Sequence, residues 1–106
     1  MTSRFKILDL TNSPIENKRF RITYSDNMKV KHKDFGLEGG ETYIDHHDLK
    51  KREAYRARHL GNAKEKERIE NLIPSPALFS YKILWGDSPH IFDNLIQLQK
   101  EFNNRV

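Results

Sequence analysis

The sequence predicts an α+β fold: a small antiparallel sheet of three or four strands, then a basic helix and two apolar-faced helices. Three observations carry that reading. Residues 18–33 alternate with period two, residues 76–85 and 91–102 repeat with helical spacing, and Gly, Pro, Asn and Ser punctuate the boundaries. A chain of 106 residues is expected to form a single small domain, mainly β over 1–44 and mainly α over 45–106. A charged connector is expected around 62–73.

Phe5 to Leu10 is a candidate first strand, ended by the turn-forming run Asn12-Ser13-Pro14. From Lys18 to Tyr24, Phe20, Ile22 and Tyr24 take one face and Arg19, Arg21 and Thr23 the other. From Met28 to Lys33, Met28, Val30 and His32 oppose Lys29, Lys31 and Lys33. Ser25-Asp26-Asn27 is the connecting turn. A three-residue turn pairs Tyr24 with Met28, Ile22 with Val30 and Phe20 with His32, which keeps the apolar face whole. It also sets Arg21 opposite Lys31 and Arg19 opposite Lys33. Like charges so opposed weaken a ladder. Such a face suits an anionic partner, or else a solvated lysine-rich edge that discourages strand pairing.

Gly36, Gly39 and Gly40 form a loop that lacks the Gly-Lys-Ser/Thr ending of a phosphate-binding loop. It leads into Glu41–Ile44, expected as a short third strand. A helix is expected from Asp45, its N-cap, to Leu60, with Gly61-Asn62 as the stop. At helical spacing Leu49, Ala54, Ala57 and Leu60 share an arc of about 140°. Lys51, Arg52, Arg56, Arg58 and His59 fill an arc of about 160° elsewhere, with Tyr55 inside it. The aliphatic arc is assigned to the sheet. A tyrosine among cations is a nucleic-acid-binding arrangement, because bases stack while phosphates are neutralised. The competing reading is a ring that covers the helix edge.

Ala63–Leu72 reads as a short exposed helix or a charged linker. Ser75-Pro76 reads as an N-cap with proline at the first helical position. The helix that follows sets Ala77, Leu78, Tyr81, Leu84 and Trp85 on one side and Phe79 and Ile83 on the other. It is therefore covered on both faces, by other elements or by another subunit. Gly86 ends it, and Ser88-Pro89 starts the last helix, where Ile91, Leu95, Leu98 and Phe102 form a stripe that Phe92 and Ile96 widen. Ile22, Val30, Leu49, Leu60, Leu84, Trp85, Leu95 and Phe102 are the expected core. Phe79, Ile83 and Phe92 are the interface candidates.

Net charge is +4, unevenly spread. Residues 1–34 carry eight Lys/Arg against four acids, 35–48 carry four acids and no Lys or Arg, and 49–60 carry five Lys/Arg against one acid. The excess thus sits in two basic segments, which points to an anionic partner or to ordinary solvation. The candidate binding face is Arg19, Arg21, Lys29, Lys31, Lys33, Lys51, Arg52, Tyr55, Arg56, Arg58 and His59. The absence of cysteine rules out disulfides and thiolate metal sites. The first ten residues are too short and too charged for a signal peptide, and no apolar run nears the roughly 20 residues of a membrane span. His46-His47 after a hairpin superficially resembles a metal-dependent nuclease arrangement. No two histidines lie three to five residues apart, however, and no acidic pair completes a metal set. The expectation is no catalytic residue, no metal and no cofactor.

Phe35, Gly36, Gly39, Gly40, Tyr43, Ile44, Asp45, His46, Lys51, Arg52, Tyr55, Arg58 and His59 form a spaced pattern, followed by a proline-led helix ending in Leu-Trp at Pro74–Trp85. In these residues the chain resembles an uncharacterised family of small basic proteins of nucleocytoplasmic large DNA viruses that infect algae and protists. The resemblance covers about two thirds of the chain; the Lys/Glu-rich stretch 64–70 departs from the family's commoner, tryptophan-containing connection. It implies a viral protein, found in the virion or otherwise in host cytoplasm or nucleus, with no assigned reaction. Two function classes follow. One is a non-enzymatic structural or interaction protein, a minor capsid or virion-associated component contacting other virion or capsid proteins. The other is a sequence-nonspecific nucleic-acid-binding protein.

Overall fold

Three antiparallel strands, β1 (Phe5–Asn12), β2 (Lys18–Asp26) and β3 (Lys29–Leu37), lie in the order β1-β2-β3, so β2 is central. The computed structural model describes residues 4–105; Met1 to Ser3 and Val106, the ends of the expected domain, lie outside the described residues. The β2–β3 turn has two residues, Asn27 and Met28, both at positive φ (52° and 68°). This is the primed turn whose twist matches that of the strands it joins.

That turn overturns the expected register. Tyr24 pairs with Lys31, Ile22 with Lys33, Phe20 with Phe35 and Arg21 with Asp34. The deciding residue is Phe35, which is fully buried. In an antiparallel ladder opposed residues share a face, so this register alone sets Phe35 beside Ile22 and Phe20. Its consequence is that Val30, expected in the core, is 69% exposed on the outer face. The opposed cations also disappear, since Arg21 faces an aspartate instead of Lys31.

Glu41–Ile44 is not a strand. The Thr42 N–H and hydroxyl both donate to Asp45 (2.8 and 2.9 Å) and open a single-turn helix, α1 (Tyr43–His46). His47 at φ 57° breaks the chain direction, and Asp48 then accepts from the Lys50 and Lys51 N–H groups to cap α2 (Leu49–Leu60). Asp45 therefore acts within a capping box, and Asp48 is the cap of the long helix. Asn62 caps α3 (Ala63–Glu70), which settles that stretch as helical. Ser75 caps α4 (Pro76–Phe79), as its Ser-Pro start predicts, and the chain continues as a π-helical turn over Ser80–Leu84. The last helix, α5 (Ile91–Asn103), begins two residues after Pro89.

One cluster joins these elements. Phe5, Ile22, Tyr24 and Phe35 come from the sheet, Leu78, Phe79, Ile83 and Leu84 from α4 and the π-helical turn, and Leu98 and Phe102 from α5. Phe5 stacks on Phe102 at 3.7 Å between ring centres, and Phe79 tilts against both Tyr24 and Phe35 at 5.8 Å. Ile22, Leu84 and Phe102 are buried as expected, and Leu60, Trp85 and Leu95 are partly buried. Leu49 is not: it is 55% exposed at the start of α2. Phe79 and Ile83 are fully buried, so they leave no surface for a partner. The wide π-helical turn brings Leu84 inward together with Phe79 and Ile83, from which regular helical spacing separates it. Asn94 secures that turn. Its side chain donates to the Ile83 and Ser88 carbonyls (2.9 and 2.7 Å) and accepts from the Ser88 N–H (2.9 Å). A Cβ on Gly86 would come within 2.6 Å of the Asn94 side chain, so only glycine lets Asn94 approach.

Candidate interaction surface

The arginines of the expected binding face are drawn into the fold. Arg19 forms a two-pronged pair with Asp45 (2.6 and 2.7 Å) and holds that carboxyl down at about 2. Arg21 pairs with Asp34 in the same manner (3.0 and 3.2 Å), and that hydrogen bonding lowers Asp34 as well. Arg52 donates to the Asp87 carbonyl (3.1 Å) and lies over the Tyr43 ring. Arg56 donates to the Trp85 carbonyl (3.0 Å) and to the Asp87 carboxylate (2.9 Å). The face of α2 that meets the rest of the protein is therefore the arginine face, and Ala54, Ala57 and Leu49 face outward. Guanidinium groups satisfy carbonyls at the end of the π-helical turn, while their stems cover apolar surface.

Tyr55 is also committed. Its ring stacks on Trp85 at 4.3 Å and 7°, and His59 lies tilted against it at 4.0 Å and 33°. Among the described residues His59 and Trp85 make no ring contact with each other, so they take opposite faces of Tyr55. No face is left for a nucleobase. Burial pushes the phenol up to about 12. His59 continues the chain of contacts through Nδ1 to Glu65 on α3 (2.6 Å).

Lys29, Lys31, Lys33, Lys51 and Arg58 remain, all exposed and none in an ion pair among the described residues. They fall in two places. Lys51 and Arg58 sit with Tyr55, Trp85 and His46 around a shallow hollow of about 260 Å³. The His46 Nδ1 accepts from the Asp48 N–H (3.0 Å), and its Nε2 is buried without a partner. Next to it runs a groove of about 670 Å³, floored by Ala77, Leu84 and Trp85 and edged by Lys18, Arg58 and Arg68. Glu41 and Glu65 on the same edge offset those cations.

The three lysines of β3 are different. Lys31 and Lys33 lie across from Tyr24 and Ile22, on the side of the sheet that faces the helices, yet every residue from Met28 to Lys33 is exposed. The helices do not cover this end of β3. Both of its faces are open, with lysines on one and Val30 and His32 on the other. Of the interface candidates only Phe92 is available, at 73% exposure on α5. Among the described residues no three His, Asp or Glu side chains gather to hold a metal ion, and no helix is long and apolar enough to cross a membrane.

Residues 8–59, which run from β1 through α2, match the family of unknown function DUF5754. A relative in Acanthamoeba polyphaga mimivirus, the uncharacterized protein L851, is 40% identical over 80 residues, which are 74% of this chain and 80% of the relative. The chain belongs to this family. That relative comes from a giant virus, in line with the resemblance carried by Phe35–His59, and the chain is a viral protein. No solved structure matches it. The matched span holds the β3 lysines together with Lys51, Tyr55 and Arg58.

Sequence reasoning missed the aspartates that neutralise Arg19 and Arg21, and the groove. Asp34 is missed because it reaches Arg21 only when Phe35 pairs with Phe20, and Asp45 because it lies on a single-turn helix that replaces the expected strand. The groove has no local signal, since its walls come from five separate segments.

Proposed function

We propose that the chain is a non-enzymatic structural or interaction protein of the virus, a minor capsid or virion-associated component. In this reading its contact surface is the open end of the β2–β3 hairpin, with the exposed face of α5 as a second contact. The observation that carries the reading is the segment Met28–Lys33, exposed on both faces, whose three lysines form no ion pair among the described residues. A strand that packs against nothing adds little to its own fold, and cations clustered there repel one another until an anionic partner neutralises them. Phe92 and Ile96, exposed on α5, add apolar area of the kind that protein contacts use.

Sequence-nonspecific nucleic-acid binding is the weaker reading, because Arg19, Arg21, Arg52 and Arg56 are occupied by internal partners and Tyr55 offers no free ring face. Quantitative mass spectrometry of salt-washed, gradient-purified particles tests the proposal. The protein is expected to persist through the wash at a copy number comparable to that of the capsid components. Its absence from particles, together with binding to duplex DNA that weakens steeply with salt, would reverse the order of the two readings.

A further inference from the structure

The two edges of the sheet are closed differently. At β1 the side chain of Gln99 on α5 acts as a strand would: the Ile7 N–H donates to its Oε1 (2.7 Å), and its Nε2 donates to the Phe5 carbonyl (2.9 Å). Among the described residues nothing comparable exists at β3. A two-residue turn closes with a hydrogen-bonded pair at Asp26 and Lys29, and the ladder then alternates. Val30, His32 and Asp34 therefore direct their N–H and C=O groups away from β2. Among the described residues no hydrogen bond reaches those groups from outside the ladder.

From this we infer that β3 is a receiving edge for an extended acidic segment of a partner protein, which adds to the sheet as a fourth strand beside Val30, His32 and Asp34. The inference rests on the proposed interaction role and adds the mode and the chemistry of the partner. Main-chain pairing supplies the hydrogen bonds, and the lysines select the partner. An incoming strand with acids at every second position sets carboxylates beside Lys29, Lys31 and Lys33 on one face. A second copy of this chain is the wrong occupant, because pairing β3 with β3 sets one lysine row against another. Lysines at an edge repel basic and self strands alike, so they act here as a filter that an acidic strand passes.

The test uses the purified full chain and a synthetic octapeptide alternating Glu and Thr, with a Lys-Thr octapeptide and oligothymidylate as comparisons. Amide hydrogen exchange is read residue by residue. The Glu-Thr peptide is expected to slow exchange at Val30, His32 and Asp34, whereas the Lys-Thr peptide and oligothymidylate leave those amides unchanged. His32→Pro removes an N–H that the native ladder does not use, so the hairpin folds while the edge is blocked. It is expected to weaken the Glu-Thr peptide by about tenfold. The paired substitution Lys31→Gln, Lys33→Gln is expected to weaken the salt dependence of binding, leaving the share of Lys29. If the peptide binds without slowing those amides, or binds His32→Pro equally well, strand addition is refuted and a purely electrostatic contact at the proposed surface stands. If the Glu-Thr peptide does not bind at low salt, or the Lys-Thr peptide binds as tightly, the inference is overturned, while the particle measurement still decides the role itself.

Discussion

Arg56 and Arg58 lie two residues apart on one helix, and the structure assigns them opposite roles. Replacing Arg56 with methionine keeps the stem and removes its bonds to the Trp85 carbonyl and the Asp87 carboxylate. The Asp87 side chain is more than half exposed, so that ion pair contributes no more than about 1 kcal/mol. The bond to the Trp85 carbonyl is the larger loss, because a charged donor to a part-buried acceptor contributes about 1.5–3 kcal/mol. Together Arg56→Met should cost about 2–3 kcal/mol, which in a domain of this size lowers Tm by roughly 10 °C. Arg58→Met removes only an exposed guanidinium 5.8 Å from the Tyr55 ring and should stay within about 0.5 kcal/mol. Urea unfolding followed by the fluorescence of Trp85, the sole tryptophan, measures both variants. Equal stability of Arg56→Met and wild type, or a larger loss for Arg58→Met, would refute the inward arginine face of α2.

Two further outcomes follow from the core and the ion pairs. Phe79→Ala should cost about 3–5 kcal/mol and leave little folded protein at 37 °C; a variant with wild-type melting but altered self-association would return Phe79 to an interface. Asp45 has its carboxyl lowered from 3.8 to about 2, chiefly by Arg19. A group lowered on folding stabilises fully above its ordinary value, and that contribution is lost as pH falls through the folded value. The stability difference between wild type and Asp45→Asn should therefore be constant above about pH 5 and shrink toward zero near pH 2, as chemical denaturation at each pH will show. A difference that grows on acidification would contradict the Arg19–Asp45 pair.

What the sequence makes legible, and what it hides, divides along physical lines. Ser75-Pro76 marks the start of α4 because a cap and a proline act locally, through groups at the chain's own helix end. Ile22, Leu84 and Phe102 read as core because they lie on apolar faces that repeat with the right period. The α+β class follows from those same periods. The β2–β3 register does not, because Met28 and Val30 offer an apolar face that tertiary packing declines in favour of Phe35. The α2 face is misread for a related reason. Leu49, Ala54 and Ala57 form the more apolar arc, but carbonyls at 85 and 87 reward arginines on the opposite side, and those carbonyls are far away in sequence. For the candidate surface, the composition identifies Lys29, Lys31 and Lys33 as cations. Only the register shows that Lys31 and Lys33 lie opposite Tyr24 and Ile22, whereas Arg21 faces a carboxylate, Asp34.

In the proposed role the open end of β3, rather than the arginine face of α2, meets the protein's partner. Cross-linking mass spectrometry on intact particles with a lysine-reactive reagent tests it most directly. Lys29, Lys31 and Lys33 should dominate the cross-links from this chain to other proteins, with the linked sites on those partners adjoining acidic segments. Intermolecular cross-links confined to Lys64, Lys66 and Lys100, with the β3 lysines linked only within the chain, would exclude β3 as the contact.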